Sequence, residues 1–143
     1  MITTKFRGLT KANNVMVYGD LITCPNGNHR IIWFEMKSEF LYKDFNEPIQ
    51  SSTIGQFSGL KDVKGLDIYE GDILEFKNRY GKYDLHKVFR VNGGLAINSH
   101  ANDINKKNNP FYSACADMQT AQWIEQCSVI GNIYINPELL SNG

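Results

Sequence analysis

Short apolar runs alternate with polar turns along the chain, and Gly, Asn and Asp interrupt it roughly every eight to twelve residues. Because the runs are rich in Val, Ile, Tyr, Phe and Trp, that rhythm predicts an all-β, mainly antiparallel protein. Lys5-Phe6-Arg7 and Val15-Met16-Val17-Tyr18 flank the turn Lys11-Ala12-Asn13-Asn14 and read as a first hairpin. Pro25-Asn26-Gly27-Asn28 then separates Leu21-Ile22 from Arg30-Ile31-Ile32-Trp33-Phe34. That last run is apolar on both faces, Ile31 and Trp33 on one and Ile32 and Phe34 on the other, which predicts a central strand. Tyr83 to Val91 approximately alternates, with Tyr83, Leu85, Phe89 and Val91 inward and Lys87 interrupting the stripe. Asn92-Gly93-Gly94 turns it into a hairpin with Leu95-Ala96-Ile97.

Residues 98 to 113, NSHANDINKKNNPFYS, show no period and predict a long exposed loop. Ala116 to Gln126 alone has a helical pattern, with Met118, Ala121 and Trp123-Ile124 on one side and Asp117 near its start. In the C-terminal stretch, Ser128-Val129-Ile130 and Ile133-Tyr134-Ile135 surround Gly131-Asn132, the place for a bulge, and Asn136-Pro137 reads as the cap and first residue of a terminal turn. The expected architecture is a partly open small barrel or two packed sheets, with one short helix and a long loop. No internal repeat or linker divides the chain, so residues 1–143 are expected to form a single domain with a variable segment at about 98–126.

The stretch GLKDVKGLDIYEGDIL, residues 59 to 74, carries Asp62, Asp67, Glu70 and Asp72 among three glycines. Asp62-Val63-Lys64-Gly65 fits a type I turn closed by the Asp side chain, with Gly65 in the left-handed bulge position. Tyr69-Glu70-Gly71-Asp72 fits a type II turn with Gly71 at the positive-φ position, leading into the strand Ile73-Leu74-Glu75-Phe76-Lys77 with Leu74 and Phe76 inward. The carboxylates therefore serve turns and are expected to be solvated. A calcium loop needs oxygen ligands at alternate positions and a later Glu, and the spacing here does not supply them.

Fifteen Lys and Arg balance fifteen Asp and Glu, which removes the whole-molecule charge that drives non-specific nucleic-acid binding. The N-terminal residues MITTKFRGLTKANN hold no apolar h-region and no run approaches a membrane span, so a cytoplasmic protein without membrane contact is expected. Cys24, Cys115 and Cys127 are odd in number and far apart, as reduced thiols would be. With His29, His86 and His100 scattered and no C-x-x-C or H-x-x-x-H pair, neither metal nor cofactor is expected. The G-x-S-x-G context of a nucleophilic serine is absent, and Asn92-Gly93-Gly94 lacks the Lys and Ser/Thr of a phosphate loop, so no catalytic residue is assigned and an enzyme is disfavoured.

One local feature has binding chemistry. Lys77, Arg79, Tyr80, Lys82 and Tyr83, with Lys87 and Arg90 downstream, interleave cations with aromatic rings and could meet phosphates and stack bases. The competing explanation, and the preferred one, is a solvated hairpin tip whose tyrosines pack over the sheet edge.

Three separated blocks resemble a known family. Lys5-Phe6-Arg7-Gly8 followed by Val17-Tyr18-Gly19-Asp20-Leu21, then Gln56 to Leu74, then Val129 to Leu140, are similar to the YopX-like proteins of phages and prophages. The resemblance implies a small, mainly β protein carried in mobile genomes, with no established activity and no catalytic residues to transfer. It points to a non-enzymatic accessory protein acting in the host cytoplasm through contacts with a phage or host protein or through a homo-oligomer. Nucleic acid is the alternative partner. The Ile31 to Phe34 run, hard to bury within one small sheet, favours self-association.

Overall fold

A computed structural model describes residues 5–91, 94–98 and 112–140. They are all-β, with two antiparallel sheets, one α-helix and no closed barrel among the described residues. Of the two expected architectures, this is the one with separate sheets. The chain gathers into two compact units, Met1–Phe57 and Ser58–Gly143.

In the first unit β1 (Phe6–Leu9), β2 (Met16–Thr23), β3 (His29–Met36) and β4 (Tyr42–Ile49) follow one another as antiparallel neighbours. The first two hairpins are those read from the sequence, with Phe6 opposite Gly19 and Leu21 opposite Ile31. β5 (Gly55–Lys61) pairs with the other side of β1 through Gly55 and Gln56. The sheet curls until the end of β4 meets the end of β1: Thr10 bridges Ile49, Lys11 N–H donates to the Pro48 carbonyl at 3.0 Å and Gln50 N–H to the Leu9 carbonyl at 2.9 Å. Leu9, Ile31 and Ile49 are buried in this unit. Gly8 is required there, because a Cβ would collide with the Ile49 side chain.

In the second unit the end of β5 forms a hairpin with β6 (Asp67–Tyr69), and a five-stranded sheet follows. Its strands are β7 (Asp72–Lys77), β8 (Tyr83–Val91), β9 (Gly94–Asn98), β10 (Tyr112–Ala114) and β11 (Ser128–Asn132), in the order β10-β9-β8-β7-β11. Helix α1 spans Met118–Ile124, and Asp117 caps it by accepting the Thr120 N–H at 3.0 Å. That bond holds the Asp117 carboxyl below the usual carboxylate range. Ile68, Leu74, Val88, Ile97, Cys115, Ile124 and Cys127 form the buried cluster, and Phe76 and Trp123 pack against it.

Several local expectations change. On β8 the buried residues are His86 and Val88, so the inward stripe is the even-numbered one and Tyr83 is 61% exposed. Trp123 of α1 meets His86 edge-on at 4.8 Å, so the helix selects this face. Met118 lies on the exposed side of α1, opposite to expectation. Residues 133–135 are a turn, because the Asn132 side chain accepts the N–H groups of Tyr134 and Ile135 at 3.0 and 2.9 Å and ends the strand. The expected bulge is present in β11 between Val129 and Gly131. Asn98 and residues 112–113 belong to strands, while residues 99–111, most of the expected loop, and Asn92-Gly93 lie outside the described residues.

Candidate interaction surfaces

The carboxylates of residues 59 to 74 are turn residues, as read, but two of them are buried where solvation was expected. Asp62 accepts the N–H groups of Lys64 and Leu66 through Oδ1, both at 2.9 Å, and that of Val129 through Oδ2 at 3.0 Å. Asp72 is 1% exposed and accepts the Tyr69 N–H at 2.8 Å. Gly65 and Gly71 take φ of 85° and 94°, as their turns demand. Glu70 pairs with Arg90 at 2.9 Å and Asp67 with Lys61 at 3.6 Å. Each acid thus has a structural partner. Among the described residues no three His, Cys, Asp or Glu side chains cluster as metal ligands would.

The β3–β4 hairpin is a different kind of surface. β2 pairs with β3 only from Thr23 to Asp20, opposite His29 to Ile32, and its remaining residues Met16–Gly19 pair with β1. β3 and β4 stay paired to Met36 and Tyr42, so past Ile32 the hairpin is a two-stranded arm that β2 no longer pairs. Its turn is closed by Lys37 N–H to the Leu41 carbonyl at 2.8 Å. Phe34, Met36, Phe40, Leu41 and Tyr42 are each more than half exposed, Phe40 reaching 86%. On one face Phe34 meets Tyr42 edge-on with centroids 5.5 Å apart, and on the other Trp33 stacks on Phe45 at 4.9 Å and 5°. An apolar patch on a projecting arm is costly in water unless something covers it. The sequence reading reached its base, Ile31 to Phe34, but not Phe40-Leu41-Tyr42. The available signal was an apolar pair in a turn, where polar residues are usual.

The basic and aromatic residues of the β7–β8 hairpin separate into three groups. Lys77, Arg79, Tyr80, Lys82 and Tyr83 gather at its tip, with the Lys77 ammonium 6.0 Å from the Tyr83 ring and the Arg79 guanidinium 5.0 Å from the Tyr80 ring. Lys87, on the Tyr83 face, is half-buried, and burial lowers its pKa. Arg90 lies on the opposite face of β8 and is engaged by Glu70. The structure therefore brings five of the seven residues together and sets Lys87 and Arg90 apart from them.

A cleft of about 350 Å³ opens between α1 and β9, lined by Asn98, Ser113, Asp117, Gln119, Thr120 and Trp123 among others. Its acid is the helix cap and its asparagine accepts the Lys87 N–H at 2.5 Å, so both already have structural duties. The thiols are equally occupied by packing: burial pushes Cys115 up to about 11 and Cys127 up to about 12, the nearby Asp62 charge adding to the latter. Because the thiolate is the reactive form, Cys24 is expected to be the one thiol that a disulfide reagent titrates quickly at pH 8 in the folded protein, with all three reacting after unfolding. Rapid native labelling of Cys127 would contradict its burial.

These features define a small all-β protein of two antiparallel sheets whose most exposed apolar surface is a hairpin arm. The chain belongs to the YopX protein family, whose model matches residues 5–141. Among solved structures it is similar to protein EF1440 of Enterococcus faecalis, at 20% identity and a TM-score of 0.58, over 98% of this chain and 99% of that one. It is also similar to protein yopX of Bacillus subtilis, at 18% identity and a TM-score of 0.56, over 98% and 97%. At such identities the likeness shows a shared fold. No curated protein matches it in sequence. Among the described residues, no helix is long and apolar enough to cross a membrane.

Proposed function

We propose that this chain is a non-enzymatic accessory protein of phage and prophage genomes, working in the host cytoplasm through protein contacts made by the β3–β4 arm. The observation that carries this is the arm itself: five large apolar side chains, each more than half exposed, on the part of the β3–β4 hairpin and its connecting turn that lies past the last rung with β2. A soluble domain rarely concentrates so much apolar surface on one projection without a partner for it. A second reading, binding of single-stranded nucleic acid, has the β7–β8 tip in its favour, where Tyr80 and Tyr83 are exposed beside Lys77, Arg79 and Lys82. It is the weaker one, since the chain is formally neutral and two of the expected cations are half-buried or paired.

One experiment separates the two. Affinity capture from host cells carrying the phage genes, with mass spectrometry and nucleic-acid sequencing on the same eluate, would compare the wild type with Phe34→Ser/Met36→Ser/Phe40→Ser and with Lys77→Ala/Arg79→Ala/Lys82→Ala. The expected result is a protein set lost from the arm variant and kept by the tip variant. Enriched nucleic acid lost only from the tip variant would reverse the order of the readings.

A further inference from the structure

The outer edge of β4 is partly used. The Pro48 carbonyl and the Gln50 N–H face β1, where they bond Lys11 and Leu9. The register of β4 with β3 runs without a shift from Ile49 back to Tyr42, so the outward direction recurs at every second residue. The main chain of Asp44 and Asn46 therefore points away from β3, into the open edge. Pro48 falls in the same series, its missing N–H on the outer side as edge strands require. Lys43, Phe45 and Glu47 form the alternate series, directed at β3, and their side chains share one face with Trp33.

We propose that this edge pairs with the same edge of a second copy of the chain, antiparallel, about a two-fold axis through Phe45. The inference rests on the reading of the arm as a contact surface and names its occupant. Two-fold pairing about Phe45 sets residue 43 opposite residue 47 of the second copy and residue 44 opposite 46. Asp44 and Asn46 then exchange main-chain hydrogen bonds, which their outward direction allows. Lys43 meets Glu47 of the second copy twice, once on each side of the axis, in the closely spaced pairs where cross-strand side chains touch. Neither Lys43 nor Glu47 has an ion pair among the described residues. Glu35, which faces Lys43 across the hairpin, is taken by Lys37 at 3.6 Å.

The rings add to the match. Phe45 lies on the axis and extends the Trp33–Phe45 stack to its equivalent, while the Lys43 ammonium, now 5.0 Å from the Phe45 ring, is already placed on that face. Other registers are worse. An axis through Asp44 opposes two aspartates, and an axis through Lys43 opposes two lysines. The free edge of β3 offers at best Trp33 against Glu35. The ladder is limited to residues 43–47, because Lys11 already occupies the Pro48 carbonyl. Arg30 also reaches the Asn46 carbonyl at 3.1 Å and uses one of its two lone pairs, leaving the other for the partner strand.

Light scattering after size exclusion tests this on the full chain. The wild type is expected to run at twice 16.3 kDa at high concentration. Lys43→Glu and Glu47→Lys are each expected to run at the single-chain mass, because each sets like charges together twice. Mixed in equal amounts they should regain the two-chain mass, since every contact is again of opposite sign, and the double variant K43E/E47K should regain it alone. Matching circular dichroism melts would show that the single variants are folded. A wild type at 16.3 kDa at all concentrations, or single reversals that stay paired, or a mixture that stays apart, would overturn the inference. A single-chain wild type whose captured proteins still depend on the arm overturns only the second copy as occupant. Capture that no longer depends on the arm overturns the arm reading itself.

Discussion

Replacing Asp62 by Ala is expected to lower the stability of the Ser58–Gly143 unit by about 3 kcal/mol, since each buried donor left unpaired costs about 1–3 kcal/mol and water can reach part of the turn. The carboxylate accepts three N–H groups and is 5% exposed. Two of those bonds fix the turn between β5 and β6, and the third reaches β11, so one side chain ties a local hairpin to a strand 67 positions away. The substitution leaves in place the main-chain bonds of the turn, Asp62 N–H to the Leu66 carbonyl at 2.8 Å and Gly65 N–H to the Asp62 carbonyl at 3.0 Å, and Val63 N–H to the Cys127 carbonyl at 2.9 Å. Asp62→Asn keeps one acceptor oxygen but turns an NH₂ toward a donor, so it should lose less than Ala and more than a surface change. Chemical denaturation of the three proteins checks the order. An Ala variant within about 0.5 kcal/mol of wild type, the range of ordinary surface substitutions, would show that the third bond carries nothing. The Asn variant has a second readout, because removing the Asp62 charge should bring the Cys127 thiol down from about 12.

The hairpins were legible because their turns carry residues with one conformational purpose, such as Gly27 and Gly65, both at positive φ. The helix was legible from Asp117 and the spacing behind it. What failed was the assignment of faces. In Tyr83 to Val91 the odd positions hold more apolar residues, but α1 chooses the even face by packing Trp123 on His86, and His86 and Val88 are the residues it leaves buried. A period of two gives the alternation and leaves its phase to the partner element. The buried turn acids failed for the same kind of reason: Asp62 reads as a local cap, and only the fold brings Val129 to its second oxygen.

The candidate surfaces divide likewise. The basic tip was visible because its residues are consecutive, whereas Lys87 and Arg90 were grouped with it by sequence proximity and separated by strand geometry. The arm was half-visible. Apolarity on both faces of Ile31 to Phe34 commonly marks a central strand, and β3 is central, but Asp20 pairs with Ile32 at the last rung on the β2 side. Past that rung the same apolar pattern lies on an uncovered hairpin, with Phe34 59% exposed. The change of partner along β2 decides this, since Met16–Gly19 pair with β1 and only Asp20–Thr23 with β3, and no period in the sequence reports where a strand trades one neighbour for another.

Gly71→Val is expected to be at least as damaging as Asp62→Ala, through backbone strain and two broken connections. Gly71 sits at φ 94°, where a β-branched residue is strained by about 1–3 kcal/mol. Its N–H donates to the Val88 carbonyl at 2.8 Å and its carbonyl accepts the Ile133 N–H at 2.9 Å, so the chain cannot escape the strain by turning φ negative without losing both bonds. Such a rotation would also move Asp72 away from the Tyr69 N–H that it accepts. Asp72→Asn should be milder, because an amide oxygen can keep the Tyr69 bond. Gly59→Ala is the control for strain alone, since Gly59 has φ 85° and open space where a Cβ would stand. Thermal and denaturant melts should rank the losses Gly71→Val first, with Gly59→Ala and Asp72→Asn well behind. A near-neutral Gly71→Val beside a severe Asp72→Asn would dismiss the turn as the reason for this sequence and return the buried carboxylate to consideration as a functional group.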